Sequence, residues 1–134
     1  MESPFTARLC RSKIIGLLTI SPPDIILNRT EAVIPEGVEK IERCTFWSCP
    51  ELKKVVIPAS VAAIGEMAFW GCKNLTEAAV PPGVVEIADS AFSGCEKLTS
   101  AVIPAGVKEI GESAFAFCQS LAELVISEGV LMIG

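Results

Sequence analysis

Apolar and polar residues alternate along this chain in short bursts that return every 23 residues. The stretch from Leu52 to Cys72, LKKVVIPASVAAIGEMAFWGC, shows one nearly whole unit. It opens on Leu52, Val55 and Ile57, and alternation over such a short β-branched run predicts a strand with one face buried. A proline follows at Pro35, Pro58, Pro81 and Pro104; without an N–H it cannot extend a ladder, so the strand stops there. Small or polar residues at Gly37, Ser60, Gly83, Gly106 and Gly129 then turn the chain into a second short apolar pair, such as Val61 and Ile64. The unit closes on Ala68, Phe69 and Cys72, whose spacings of three and four predict a single turn of helix with one inward face.

The columns line up when the units are stacked. Ile34, Ile57, Val80, Ile103 and Ile126 share one; Ile41, Ile64, Ile87, Ile110 and Ile133 another; Phe46, Phe69, Phe92 and Phe115 a third; Cys49, Cys72, Cys95 and Cys118 a fourth. A period of about 20 to 50 residues marks stacked repeats. The expected fold is an α/β repeat solenoid of 23-residue rungs, each with short strands and one helical turn, about 4.8 Å apart. The rungs run 29–51, 52–74, 75–97 and 98–120, with a partial fifth over 121–134. Residues 1–28 fall outside the pattern, and Pro22 and Pro23 break regular structure there, so Ile14 to Ile20 and Ile25 to Leu27 are expected to form a degenerate N-terminal cap. Arg8, Arg11 and Lys13 ahead of Ile14 to Ile20 have the order of a signal peptide, but the apolar run is short and no small-residue cleavage site follows it.

The recurring IPxSVxxIGxxAFxGC signature resembles the Treponema-type, BspA-like class of leucine-rich repeat over residues 29–134. Arg29 in place of Leu, Thr45 in place of Ala, Glu42 or Ala88 in place of Gly, and Ser127 in place of Pro depart from it. The resemblance implies a right-handed solenoid used as a binding surface, often in bacterial surface or secreted proteins that meet other proteins. It implies no catalytic residues.

Composition narrows the function further. The net charge is −5, and residues 29–134 carry 8 basic and 14 acidic side chains. A dispersed acidic surface argues against nucleic acid, which needs clustered Lys and Arg. No apolar run reaches the roughly 18 residues of a membrane span. There is no histidine, so no Ser–His or Cys–His dyad and no H-E-x-x-H motif can form, and no G-x-x-x-x-G-K loop is present. Carboxylates such as Glu66, Asp89 and Glu112 recur one to a rung, as a solvated face does. No cofactor is expected. The cysteine column places sulfurs in a line, whereas zinc wants a tetrahedron, so buried, reduced, metal-free thiols are expected. Disulfides along the column are disfavoured because about 4.8 Å separates rungs where a bridge wants Cβ atoms about 3.8 Å apart. Cys10 and Cys44 lie off the column and are left open between free and bridged.

The surface carries the functional expectation. Between the buried strand positions, Val33, Val56, Ala79, Val102 and Val125 should face solvent as a continuous apolar stripe, rimmed by Glu31, Lys54, Glu77, Ser100 and Glu123. Apolar patches with polar borders mark interaction sites, although β-branched residues also favour strands for their own sake. Trp47 and Trp70, with Phe117 one place along in its own rung, form a candidate aromatic edge, equally explained as packing. The chosen function is a non-enzymatic protein-binding module. The alternatives are a self-assembling scaffold and, more distantly, an apolar-ligand carrier. The fifth rung stops before its Ala-Phe-Cys turn, leaving Leu121, Leu124, Ile126, Val130 and Ile133 open at the end. Either the chain is a fragment of a longer protein or another copy closes that end, and a homo-oligomer burying Val130 and Ile133 is the expectation.

Overall fold

In the computed structural model, residues 26–27 and 31–134 are described. The opening alternation of each rung becomes a strand: β2 (Glu31–Val33), β4 (Lys54–Val56), β6 (Glu77–Ala79), β8 (Ser100–Ile103) and β10 (Glu123–Ile126). Together with β1 (Ile26–Leu27) they form a six-stranded sheet in the order β1-β2-β4-β6-β8-β10. The second apolar pair of each rung supplies β3 (Lys40–Ile41), β5 (Ala63–Ile64), β7 (Glu86–Ile87), β9 (Glu109–Ile110) and β11 (Met132–Ile133), a five-stranded sheet. Successive rungs pair in parallel with a shift of 23 residues, for example Val55 with Ala78 and Ile64 with Ile87. The exception is β1, which runs antiparallel to β2 and pairs Ile26 with Val33. The remainder of the expected cap, Ile14 to Ile20 included, lies outside the described residues.

Proline ends the first strand of the first four rungs and also turns the chain. The carbonyls of Pro58, Pro81 and Pro104 accept the amides of Val61, Val84 and Val107, closing four-residue β-turns that lead to the second strand. Gly65 then passes close to the rung before it: a Cβ there would sit 2.7 Å from the Ile41 carbonyl oxygen, so only glycine fits without a shift of backbone.

The expected helical turn is corrected by the structure, which has turns and no helix over Arg43–Ser48, Glu66–Gly71 and Asp89–Gly94. In the second rung the amides of Ala68, Trp70 and Cys72 bond three residues back, to Gly65, Met67 and Phe69. The amides between them, from Met67, Phe69 and Gly71, reach across to Asp89, Ala91 and Ser93 of the next rung. A helix would send all of them four residues back within the chain. Backbone that alternates between its own rung and the next is a ladder made of β-turns, and each rung enters the left-handed region twice to make it. Cys44, Met67, Ser90 and Ser113 do so at the first point, with φ between 55 and 61°. Ser48, Gly71, Gly94 and Phe117 do so at the second.

The core lies between the two sheets and this ladder. Phe46, Phe69, Phe92 and Phe115 stack face to face, with centroids 5.2, 5.0 and 5.3 Å apart. Around them the columns headed by Leu52, Val61, Ile64 and Ala68 are buried from the second to the fourth rung. Thr45, where the repeat carries alanine, is buried without penalty because its hydroxyl donates to the Glu42 carbonyl at 2.6 Å. Among the described residues no buried side-chain nitrogen or oxygen lacks a hydrogen-bond partner.

Candidate functional site

Register fixes the outward columns as firmly as the inward ones. Val33 pairs with Val56, Ala79 with Val102, and Val102 with Val125, so the predicted stripe is one row across five parallel strands. Val33 is half-buried; Val56, Ala79, Val102 and Val125 are exposed, Val102 at 53% of its surface. Ala79 is the shortest of them, and above it a shallow groove of about 320 Å³ opens between Glu77, Ala79, Ser100 and Val102.

Sequence reasoning missed how far this surface extends. Ala59, Pro82 and Ala105 form a second exposed column in the turns after the first strand, each carbonyl lying against a glycine of the following rung, Gly83, Gly106 and Gly129. Ala62 and Val85 form a third, joined by the bond from the Val85 amide to the Ala62 carbonyl at 2.8 Å. Both columns were legible as small apolar residues at fixed offsets, but they sit in segments read only as turns. The first two columns are apolar from the second to the fourth rung and the third over the second and third, and together they make one apolar face. The second column turns charged at Glu36 and Glu128 and the third at Glu39 and, in the fourth rung, Lys108, while the first stays apolar at Val33 and Val125.

The aromatic edge is only partly assembled. Trp47 and Trp70 stack, with centroids 5.4 Å apart and planes 11° from parallel, and Trp70 is 37% exposed. Phe117 belongs to the column of Ser48, Gly71 and Gly94 and stands two rungs further on, so it does not join the pair. In the fifth rung Leu121 and Val130 are half-buried, while Leu124, Ile126, Leu131 and Ile133 are exposed.

The cysteine column needs one correction. Cys72, Cys95 and Cys118 are free thiols, but Cys49 is disulfide-bonded. The spacing argument against bridges applies along the column, where all three neighbours are indeed free, and it does not reach a partner off the column. Cys44 is free, and Cys10 lies outside the described residues. The free thiols also do more than fill space. Cys72, Cys95 and Cys118 donate to the carbonyls of Phe46, Phe69 and Phe92 at 3.0, 3.3 and 3.2 Å, tying each phenylalanine to the following rung. Burial pushes the Cys72 thiol up to about 12 and raises those of Cys95 and Cys118.

A separate groove of about 430 Å³ runs along the second sheet between Glu66, Glu86, Asp89, Glu109 and Glu112. The Asp89 carboxylate accepts the Glu112 amide at 2.8 Å, and Glu66 pairs with Arg43 at 3.1 Å. No three His, Cys, Asp or Glu residues are placed to hold a metal ion among the described residues. Nor is any described helix long and apolar enough to cross a membrane.

The model of the BspA type leucine rich repeat region matches residues 26–134 in six copies. Among solved structures, the chain resembles a leucine rich repeat protein of T. pallidum, with 34% identity, a TM-score of 0.76, and coverage of 81% of this chain and 53% of that one. It also resembles a leucine rich cell surface protein of Faecalibacterium prausnitzii, with 30% identity, a TM-score of 0.64, and coverage of 72% and 32%. A third is a leucine-rich repeat protein of Bacteroides capillosus, with 26% identity, a TM-score of 0.67, and coverage of 75% and 79%. The chain thus spans about half the length of the first and a third of the second. The comparison with curated proteins gave no match.

Proposed function

The chain belongs to the BspA-type leucine-rich repeat family, and from that premise we propose that it is a non-enzymatic module that binds another protein through the apolar face of its second to fourth rungs. One observation carries the reading: three exposed columns, headed by Val56, Ala59 and Ala62, are apolar together over the second and third rungs, and the two that lie outside the strands are charged at Glu36, Glu39, Lys108 and Glu128. Contiguous exposed apolar surface bounded by polar residues is what interaction sites present. The family is typically non-enzymatic, so catalysis is not part of the proposal.

Site-specific photo-crosslinking tests it. A crosslinker at Val56 or Val102 is expected to capture a partner that a crosslinker at Lys97, in an exposed turn off this face, does not. Unlabelled protein should compete, and Val56→Lys with Val102→Lys should not. Equal capture from all three positions would sink the reading.

A second reading, homo-oligomerisation through Leu121, Leu124, Val130 and Ile133, draws support from the exposure of Leu124 and Ile133. Light scattering at low micromolar concentration decides it. A mass above the monomer that collapses with Ile133→Lys supports self-association, and a clean monomer rejects it.

A further inference from the structure

Resting on the apolar face as a protein-binding site, we propose that its occupant is a basic amphipathic segment, an apolar strip with Lys or Arg on both sides. The argument is the sign of the rim. Around the face stand six exposed carboxylates, Glu36, Glu39, Glu77, Glu86, Glu109 and Glu128, against three ammonium groups, Lys40, Lys54 and Lys108. None of the six belongs to an ion pair among the described residues, where the one salt bridge joins Arg43 to Glu66 off the face. The acidic groups lie on both long sides. Glu77 stands at the mouth of the groove over Ala79, and Glu86 and Glu109 border the column of Ala62 and Val85.

Glu86 and Glu109 add a second reason. They are register partners on neighbouring parallel strands, β7 and β9. Like charges at such a position oppose each other and destabilise a sheet, and neither carboxylate forms a salt bridge among the described residues. A partner that brings an ammonium or guanidinium to this edge while burying apolar side chains over Ala79 and Val85 removes that repulsion. An acidic partner would compound it. Charge complementarity of this kind steers encounter and rejects partners of the wrong sign.

The test uses three synthetic peptides of equal length: alternating Val and Lys, alternating Val and Glu, and alternating Ser and Lys. Each is titrated into the isotopically labelled whole chain and followed by NMR. The Val/Lys peptide is expected to bind and to shift the amides of Ala79, Val85 and Val102. Val102→Lys should abolish binding, with Val102→Ser as a milder variant, and Glu86→Gln with Glu109→Gln should weaken it roughly three- to tenfold, more at low salt than at high. If the Val/Glu peptide binds as well as Val/Lys, the charge inference is overturned while the apolar face stands. If Ser/Lys binds as well as Val/Lys, or if Val102→Lys changes nothing, the attraction is bare charge and the proposal is overturned. Should no peptide bind, both the inference and the reading beneath it fail.

Discussion

Replacing Phe69 by alanine measures how much of the stability lies in the phenylalanine stack. Phe69 is fully buried between Phe46 and Phe92, with ring centroids 5.2 and 5.0 Å away. A buried Phe→Ala change costs about 3–5 kcal/mol, and an aromatic pair contributes about 0.5–1.5 kcal/mol of such a loss. Phe69 loses two pairs in a site closed on both sides by other rungs, so Phe69→Ala should cost about 4–5 kcal/mol. Phe115 has one stacking partner, Phe92, and is half-buried. Phe115→Ala should therefore cost only about 2 kcal/mol. The assay is urea unfolding of both variants beside Phe69→Leu, which keeps most of the volume and isolates the ring. The m-value is compared as well, because loss of a central rung in a stack held by nearest neighbours can split the transition in two. Equal costs for Phe69→Ala and Phe115→Ala would refute the reasoning, since they would show that stacking on both faces contributes nothing beyond local burial.

Phe117 lies in the left-handed region at φ 59° and is 81% exposed, in a column that carries glycine at Gly71 and Gly94. Phe117→Gly should raise stability by about 1 kcal/mol in thermal or urea unfolding, and an unchanged midpoint would count against the strain. Gly71→Ala, at φ 73°, should lower stability by a similar amount, about 1 kcal/mol by the same measurement. Burial lifts the Cys72 thiol from 9.0 to about 12, so above pH 9 the unfolded chain releases a proton that the folded chain keeps. Stability should then fall by about 1.4 kcal/mol per pH unit for this thiol, a slope that Cys72→Ala removes. Under native conditions at neutral pH, Cys44 should react with a thiol reagent before Cys72 and Cys95, which are buried; rapid labelling of all three would contradict the packing.

Much of the fold was legible because repetition turns one ambiguous segment into an aligned column. A single V-x-I is weak evidence for a strand, yet Val55, Ala78 and Ala101 at one offset, each followed two places on by an aliphatic residue, fix strand, face and register together. The helical turn misled because Ala68, Phe69 and Cys72 have spacings that a helix shares with successive β-turns. Glycine immediately before the cysteine at Gly71 and Gly94 was the available signal, since a glycine recurring at one place favours a left-handed backbone over the middle of a helix. The bonds from the thiols to the phenylalanine carbonyls were not legible, because they join residues 26 apart and depend on how the turn is built. The Cys49 bridge escaped for a related reason: spacing within a column says nothing about a partner off it.

The outward columns need a different kind of argument from the inward ones. Inward residues repeat because each rung packs on the next, so Phe69 and Cys72 report the fold and little else. Val56, Val102 and Val125 face outward from strands, where β-branched residues are favoured in any case, and on their own they do not distinguish a binding stripe from ordinary strand composition. Ala59, Pro82, Ala105, Ala62 and Val85 lie outside the strands, where that preference has no hold. The first rung shows what the fold accepts at these positions, for it carries Glu36 and Glu39 in the same two columns. Solvated residues are thus compatible with the backbone there, and Ala59, Pro82, Ala105, Ala62 and Val85 are apolar without the fold requiring it. That difference ties the functional reading to the whole face, and it makes substitutions at Ala62 and Val85 more informative than those at Val56: Val85→Glu should leave the unfolding midpoint in place and abolish partner capture, whereas capture that survives would return the stripe to strand propensity alone.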